Sequence, residues 1–167
     1  MSWGPVEAPP AALLIDFENV TVGVRSSLTD ELSRLLKSEI VRGEVAVQRA
    51  YADWRRFPQF IGPLAETPVE LVFAPSYGSA NRHASIMRLA TDALELVFTR
   101  PELGVFILLS GNSELSTLVF KLKEHGKRVI GVGNRGSAST LLRESCDEYY
   151  LYDDLIGLDS QNSLESR

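Results

Sequence analysis

Apolar positions along this chain alternate between two periods. Ala12 to Ile15 form an unbroken apolar run that opens into Asp16-Phe17-Glu18-Asn19. That is the pattern of a strand buried on both faces, delivering acidic side chains at its carboxyl end. Leu28, Leu32, Leu35, Leu36 and Ile40 then recur at helical spacing, with Thr29 and Asp30 to start the helix and Gly43 to stop it,. Glu44 to Asp53 reads as a second strand ending in an acid,. Phe57 to Ala65 is a shorter helix, confined to early turns by Pro58 and Pro63, and Val69 to Ala74 is a third strand,. The turn residues Pro75-Ser76-Tyr77-Gly78-Ser79 lead into a long helix from Arg82 to Phe98, whose inner stripe is Ile86, Leu89, Ala90, Ala93, Leu94 and Val97,. Gly104 to Ser110 is the most apolar segment and reads as a central strand,. Asn112 or Ser113 caps a helix from Glu114 to His125, ended by Gly126,. Lys127 to Val132 is a fifth strand, Ser139 to Glu144 a short helix, and Glu148 to Tyr152 an edge strand,.

Strands alternating with helices through short loops predict a three-layer α/β sandwich with a mostly parallel sheet of five to six strands, ordered 3-2-1-4-5. In that order strands one and four are neighbours although distant in sequence. Asp16 and Ser110-Gly111-Asn112 then face one crevice at the topological switch point, where ligands bind in open α/β sheets,.

The chain has 167 residues, 44% hydrophobic and 23% charged, so one domain with a sizeable core is expected, and no stretch is long and apolar enough for a membrane span,. Residues 1–10 are expected to be a flexible terminus without a secretion signal, residues 11–156 the domain, and residues 157–167 a disordered tail or linker. A lone Cys146 favours a reducing compartment and a cytoplasmic location,. The net charge of −5 requires any nucleic-acid surface to be a local patch,. Gly131-Val132-Gly133 is only a short glycine pattern after a strand, weak evidence for nucleotide binding,.

Six segments in series carry a resemblance: Asp16-Phe17-Glu18-Asn19, Tyr51-Ala52-Asp53-Trp54, Pro75-Ser76-Tyr77-Gly78, Thr91-Asp92-Ala93-Leu94-Glu95-Leu96, Ser110-Gly111-Asn112-Ser113-Glu114, and Gly126 to Gly133. Together they resemble the NYN domains of the PIN-like nuclease superfamily, in the LabA-like bacterial group, from about Ala12 to Leu155. The resemblance implies a PIN-like fold and a ribonuclease site in which a few acidic side chains hold Mg²⁺ or Mn²⁺. That cation orients a water and neutralises charge on the phosphate oxygens.

The resemblance assigns catalytic positions to Asp16, Asn112, Glu114 and Asp92, with Asp16, Asn112 and Glu114 as the metal set. Asn19, Asp53, Tyr77, Arg82, His83, Ser110 and Arg135 are the accompanying binding candidates. The chain departs from the family pattern in three places. A neutral amide, Asn112, stands for one carboxylate, Glu114 is a lengthened version of another, and Ile86 falls where the family has a further acid, in His83-Ala84-Ser85-Ile86. Each lost charge weakens a cation site by up to about 4 kcal/mol at an effective dielectric near 20. Competing structural readings are that Ile86 extends the helix's core stripe, that Asn112 and Glu114 are a cap and a first-turn acid, and that Asp16 and Asn19 are turn formers. Arg82 and His83 could instead bind a phosphate, and Arg55, Arg56, Lys127, Arg128 and Arg135 a nucleic-acid backbone, with Trp54 and Tyr77 stacking on bases,. The expectation is a degraded nuclease site on an RNA-associated or regulatory module. The rivals are an active ribonuclease that recruits Asp53 or Asp92, and a protein interaction or oligomerisation domain with no nucleic-acid role, its partner a second copy in a homodimer or another protein.

Overall fold

The computed structural model describes residues 8–20, 27–76, 83–134 and 139–157. Its sheet holds β1 (Ala11–Asp16), β2 (Val45–Ala52), β3 (Glu70–Phe73), β4 (Val105–Leu109), β5 (Arg128–Gly133) and β6 (Glu148–Leu151) in the order β3-β2-β1-β4-β5-β6. All neighbouring pairs are parallel. The expected order 3-2-1-4-5 is therefore present, with β6 added at the edge beyond β5. β1 is central and buried at every position, as its unbroken apolar run requires,.

Each crossover folds back over one face of the sheet. α1 (Leu28–Leu36), α2 (Pro58–Ala65) and α6 (Tyr152–Ile156) cover one face, packing Leu32, Leu35, Leu64 and Ile156 against Leu13 and Ile15. α3 (Ala84–Thr99), α4 (Leu115–Glu124) and α5 (Thr140–Ser145) cover the other, where Leu89, Ala93, Leu118, Val119 and Leu142 meet Ala12 and Leu14. The strand's two-residue period thus sets which face each β1 side chain serves. Asp16 follows Ala12 and Leu14 onto the α3 side. α6 was not foreseen, because five residues are too few to show a helical period,. Trp54 belongs to the core, with Nε1 donating to the Val72 carbonyl at 3.0 Å and its ring 5.0 Å from Phe17. Gly126 ends α4 as expected, with the left-handed φ of 77° that a Cβ disfavours,.

The glycine pair of β5 has a packing role. A Cβ at Gly131 would stand 2.7 Å from Cδ2 of Tyr149 and 2.9 Å from Sγ of Cys146, and one at Gly133 would overlap the Tyr149 hydroxyl. The two glycines make room for an aromatic ring from β6, which the Arg143 guanidinium covers from 5.5 Å,.

Asp92, on the inner side of α3, belongs to an ion network. Tyr51 Oη donates to its Oδ2 at 2.9 Å and Arg88 Nε to its Oδ1 at 3.1 Å, while Arg49 Nη1 stands 3.5 Å away. Burial and the neighbouring carboxylate raise the Tyr51 hydroxyl above its ordinary range, so it stays a donor throughout the stable pH range,. Tyr51→Phe is expected to cost about 1–2 kcal/mol, the price of withdrawing one donor from a buried carboxylate that keeps its arginines. Urea denaturation should show this as a lower midpoint at unchanged slope.

Candidate functional site

The crevice forms where β1 and β4 run side by side and their crossovers leave in opposite directions,. Ile15 pairs with Leu109, so the next residues, Asp16 and Ser110, emerge together at the carboxyl end of the sheet. Three groups donate to the Asp16 carboxylate: Asn19 Nδ2 at 2.6 Å and Ser110 Oγ at 2.9 Å to Oδ2, and Ser85 Oγ at 3.2 Å to Oδ1. One comes from the 3-10 turn Phe17–Asn19, one from the end of β4 and one from the first turn of α3. The carboxylate therefore ties three elements together. Asp16 is 0% exposed, and burial lifts its pKa from 3.8 to about 6 against the opposing pull of those three hydrogen bonds,.

Glu18 stands beside Asp16 and shares its partner, with Ser85 Oγ 3.3 Å from Glu18 Oε2. Its other oxygen accepts from the Asp53 backbone N–H at 3.3 Å and lies 3.5 Å from Arg56 Nη1. Asp53 in turn is clamped by Arg55, through Nε at 2.9 Å and Nη2 at 2.7 Å, and accepts from the Ser76 backbone N–H at 3.2 Å. The Arg55 guanidinium holds the Asp53 carboxyl well below the usual carboxylate range,. A polar chain thus runs from Asp16 through Ser85, Glu18 and Asp53 to Arg55.

The other expected residues fall into three places. Asn112 Oδ1 accepts from the Glu114 backbone N–H at 2.9 Å, the geometry of a residue organising the start of α4, and the Asn112 backbone N–H donates to Ser110 Oγ at 3.2 Å,. The Glu114 carboxylate turns outward to His83, with Oε2 2.9 Å from Nδ1 and both side chains about half exposed. That pair joins the amino ends of α3 and α4 above Ser85 and Ser110. Asp92 is seven residues beyond Ser85, about 10 Å further along the helix, and serves the Tyr51 network,. Tyr77, Arg82 and Arg135 lie outside the described residues.

Two site residues were not singled out by sequence reasoning. Glu18 stands two residues after Asp16, in the 3-10 turn Phe17–Asn19, and that spacing is a usable signal. Ser85 gave none. Ile86, the position matched to the family's further acid, is 4% exposed and packs in the core with Ala93 and Val97, while its neighbour Ser85 faces Asp16.

The groups around Asp16 point O–H and N–H donors at the carboxylate rather than lone pairs at a shared cation. Among the described residues no three His, Cys, Asp or Glu side chains are grouped so that they could hold one ion. In this geometry the described donors do not fit a divalent cation, whose hard oxygen shell needs several free lone pairs. No described helix is long and apolar enough to cross a membrane.

Comparisons with known proteins agree with this architecture. The sequence profile of the NYN domain matches residues 10–155. An uncharacterized protein of Methanocaldococcus jannaschii is 26% identical over 136 residues, covering 81% of this chain and 52% of the relative, so the chain spans about half the length of that relative. A crystal structure of a protein of unknown function from Vibrio parahaemolyticus superposes with a TM-score of 0.70 at 21% identity, covering 92% of this chain and 98% of that one, and supports the fold. With the profile running through every strand from β1 to β6, the chain belongs to the NYN domain family of the PIN-like nuclease superfamily.

Proposed function

We propose that this NYN domain is an RNA-associated, regulatory module of LabA-like type whose hydrolytic crevice is closed by its own hydrogen bonds. One observation carries the reading: Asp16, the acid at the switch point, is fully buried and accepts from Asn19, Ser85 and Ser110. A carboxylate in that state binds neither a hydrated cation nor a phosphodiester. Asn112 and Glu114, the remaining members of the expected metal set, engage the α4 backbone and His83. Contact with RNA falls to the rim, where Arg55 and Arg56 flank Asp53 and Glu18.

Fluorescence anisotropy with single-stranded RNA tests this directly. Binding should weaken steeply with salt, because each displaced phosphate counterion contributes to the slope of affinity against ionic strength. The same RNA incubated with Mg²⁺ or Mn²⁺ should remain intact. Salt-independent or absent binding would leave no nucleic-acid role.

A second reading, an active Mg²⁺- or Mn²⁺-dependent ribonuclease, draws on the Ser85 hydroxyl that Asp16 and Glu18 share, since it holds two carboxylates one hydroxyl apart. Its signature is Mn²⁺-dependent cleavage that disappears in Asp16→Ala.

A further inference from the structure

The outer surface of the α3–α4 layer is apolar in a way that the fold does not use. Met87 is 65% exposed, Phe98 71% and Phe120 50%. On α3, the exposed Met87, Thr91 and Phe98 and the half-buried Leu94, which also packs against the core, follow one another at spacings of four, three and four residues, which places them within an arc of about 60°,. This is the seam of a helix that packs against another helix. Thr91 turns its hydroxyl back to the Met87 carbonyl at 2.7 Å and so presents its methyl group outward. The opposite side of α3, with Ile86, Leu89, Ala93 and Val97, is already committed to the core.

We propose that this surface is a two-fold interface with a second copy of the same chain, with the two α3 helices antiparallel. Three features of the sequence and structure are self-complementary about an axis near the middle of the seam, their midpoints falling within about two residues of one another,. Met87 of each copy meets Phe98 of the other. Arg88 and Glu95 lie on one flank of the seam, both exposed, and a two-fold axis lying across the helices brings like flanks together. Arg88 of each copy therefore meets Glu95 of the other, twice per dimer, and Arg88 keeps its contact with Asp92 through Nε. On the other flank lies α4. It runs parallel to α3, and the Phe98 and His125 rings touch at their carboxyl ends with centroids 5.3 Å apart. Counting back five residues on each helix sets Phe120 level with Ala93, so Phe120 meets its own copy beside the axis,. A heterologous partner would not require a sequence to match itself in this manner, and an isologous contact does. This inference is independent of the RNA reading, because it lies on the outer face of the α3–α4 layer and not at the carboxyl end of the sheet.

Sedimentation velocity on the full chain should show the mass of two chains, falling to one in Phe98→Glu. The charge pair gives a stricter result. Arg88→Glu alone sets glutamate against Glu95, and Glu95→Arg alone sets arginine against Arg88, so each is expected to be monomeric. Mixed in equal amounts, the two variants should pair with each other, a recovery that a folding defect cannot produce. Phe120→Cys should cross-link chain to chain under mild oxidation, whereas Ile61→Cys, on α2 of the opposite layer, should not; the native Cys146 is buried and does not compete. A wild-type chain that stays monomeric as concentration rises would overturn the proposal and leave the seam bare or covered by a different protein. A dimer that survives Phe98→Glu, or mixed charge variants that fail to pair, would overturn it equally.

Discussion

Asp16→Asn is expected to stabilise the protein at neutral pH by about 3 kcal/mol, because the wild-type carboxylate ionises in a place that disfavours charge. Its pKa rises from 3.8 to about 6 on burial. The folded state therefore binds this proton more tightly than the unfolded chain does. Between about pH 4 and pH 6 the folded state holds the proton while the unfolded chain has released it, so wild-type stability falls as pH rises through that window. The amide does not titrate and escapes the loss. Its oxygen, at the place of Oδ2, accepts from Asn19 and Ser110 as the carboxylate did, and the Ser85 hydroxyl at the place of Oδ1 can rotate to accept from its NH₂,. The advantage of Asn over Asp should vanish near pH 4, grow by about 1.4 kcal/mol per pH unit and level off above pH 6. Chemical denaturation of both proteins across this range measures it. A difference that does not change with pH would mean that Asp16 is not the buried charge described above.

Gly133→Ala is expected to lower stability by about 1–3 kcal/mol, the usual range for forcing a methyl group into a packed core. The added Cβ overlaps the Tyr149 hydroxyl, so the ring has to shift away from β5 and out of its contact with the Arg143 guanidinium. For a chain of this size the melting temperature should drop by about 2–4 °C per kcal/mol. The compensating change is specific. The Tyr149 hydroxyl is buried and has no hydrogen-bond partner among the described residues, so Tyr149→Phe removes the clashing atom and forfeits no bond,. Tyr149→Phe alone should be neutral or slightly stabilising, and combined with Gly133→Ala it should restore most of the loss. If the double variant is as unstable as Gly133→Ala, the Tyr149 hydroxyl is not the atom that the added methyl group meets.

Asp16 was visible because a short apolar run ending in an acid has few other meanings in an alternating α/β pattern. The Gly131–Gly133 pair was equally visible, and its meaning was not, since the ring that needs the space arrives from β6, well along the chain. Asp92 was attractive for the same reason that it proved remote from Asp16. Its motif is recognisable in sequence, but 100° per residue around a helix leaves its side chain two turns from Ser85.

The class of fold, the order of the strands and the meeting of β1 with β4 follow from the residue pattern, because burial on both faces and right-handed crossovers admit few arrangements. The family follows as well, through motifs spread over most of the chain. The state of the crevice depends on contacts between elements far apart in the chain. Whether a carboxylate faces a cation or a set of hydroxyls depends on which side chains approach it from other elements, and Ser85, Ser110 and Asn19 reach Asp16 from a helix, a strand end and a turn. Distances of that kind are set by packing between layers, which local periodicity does not encode.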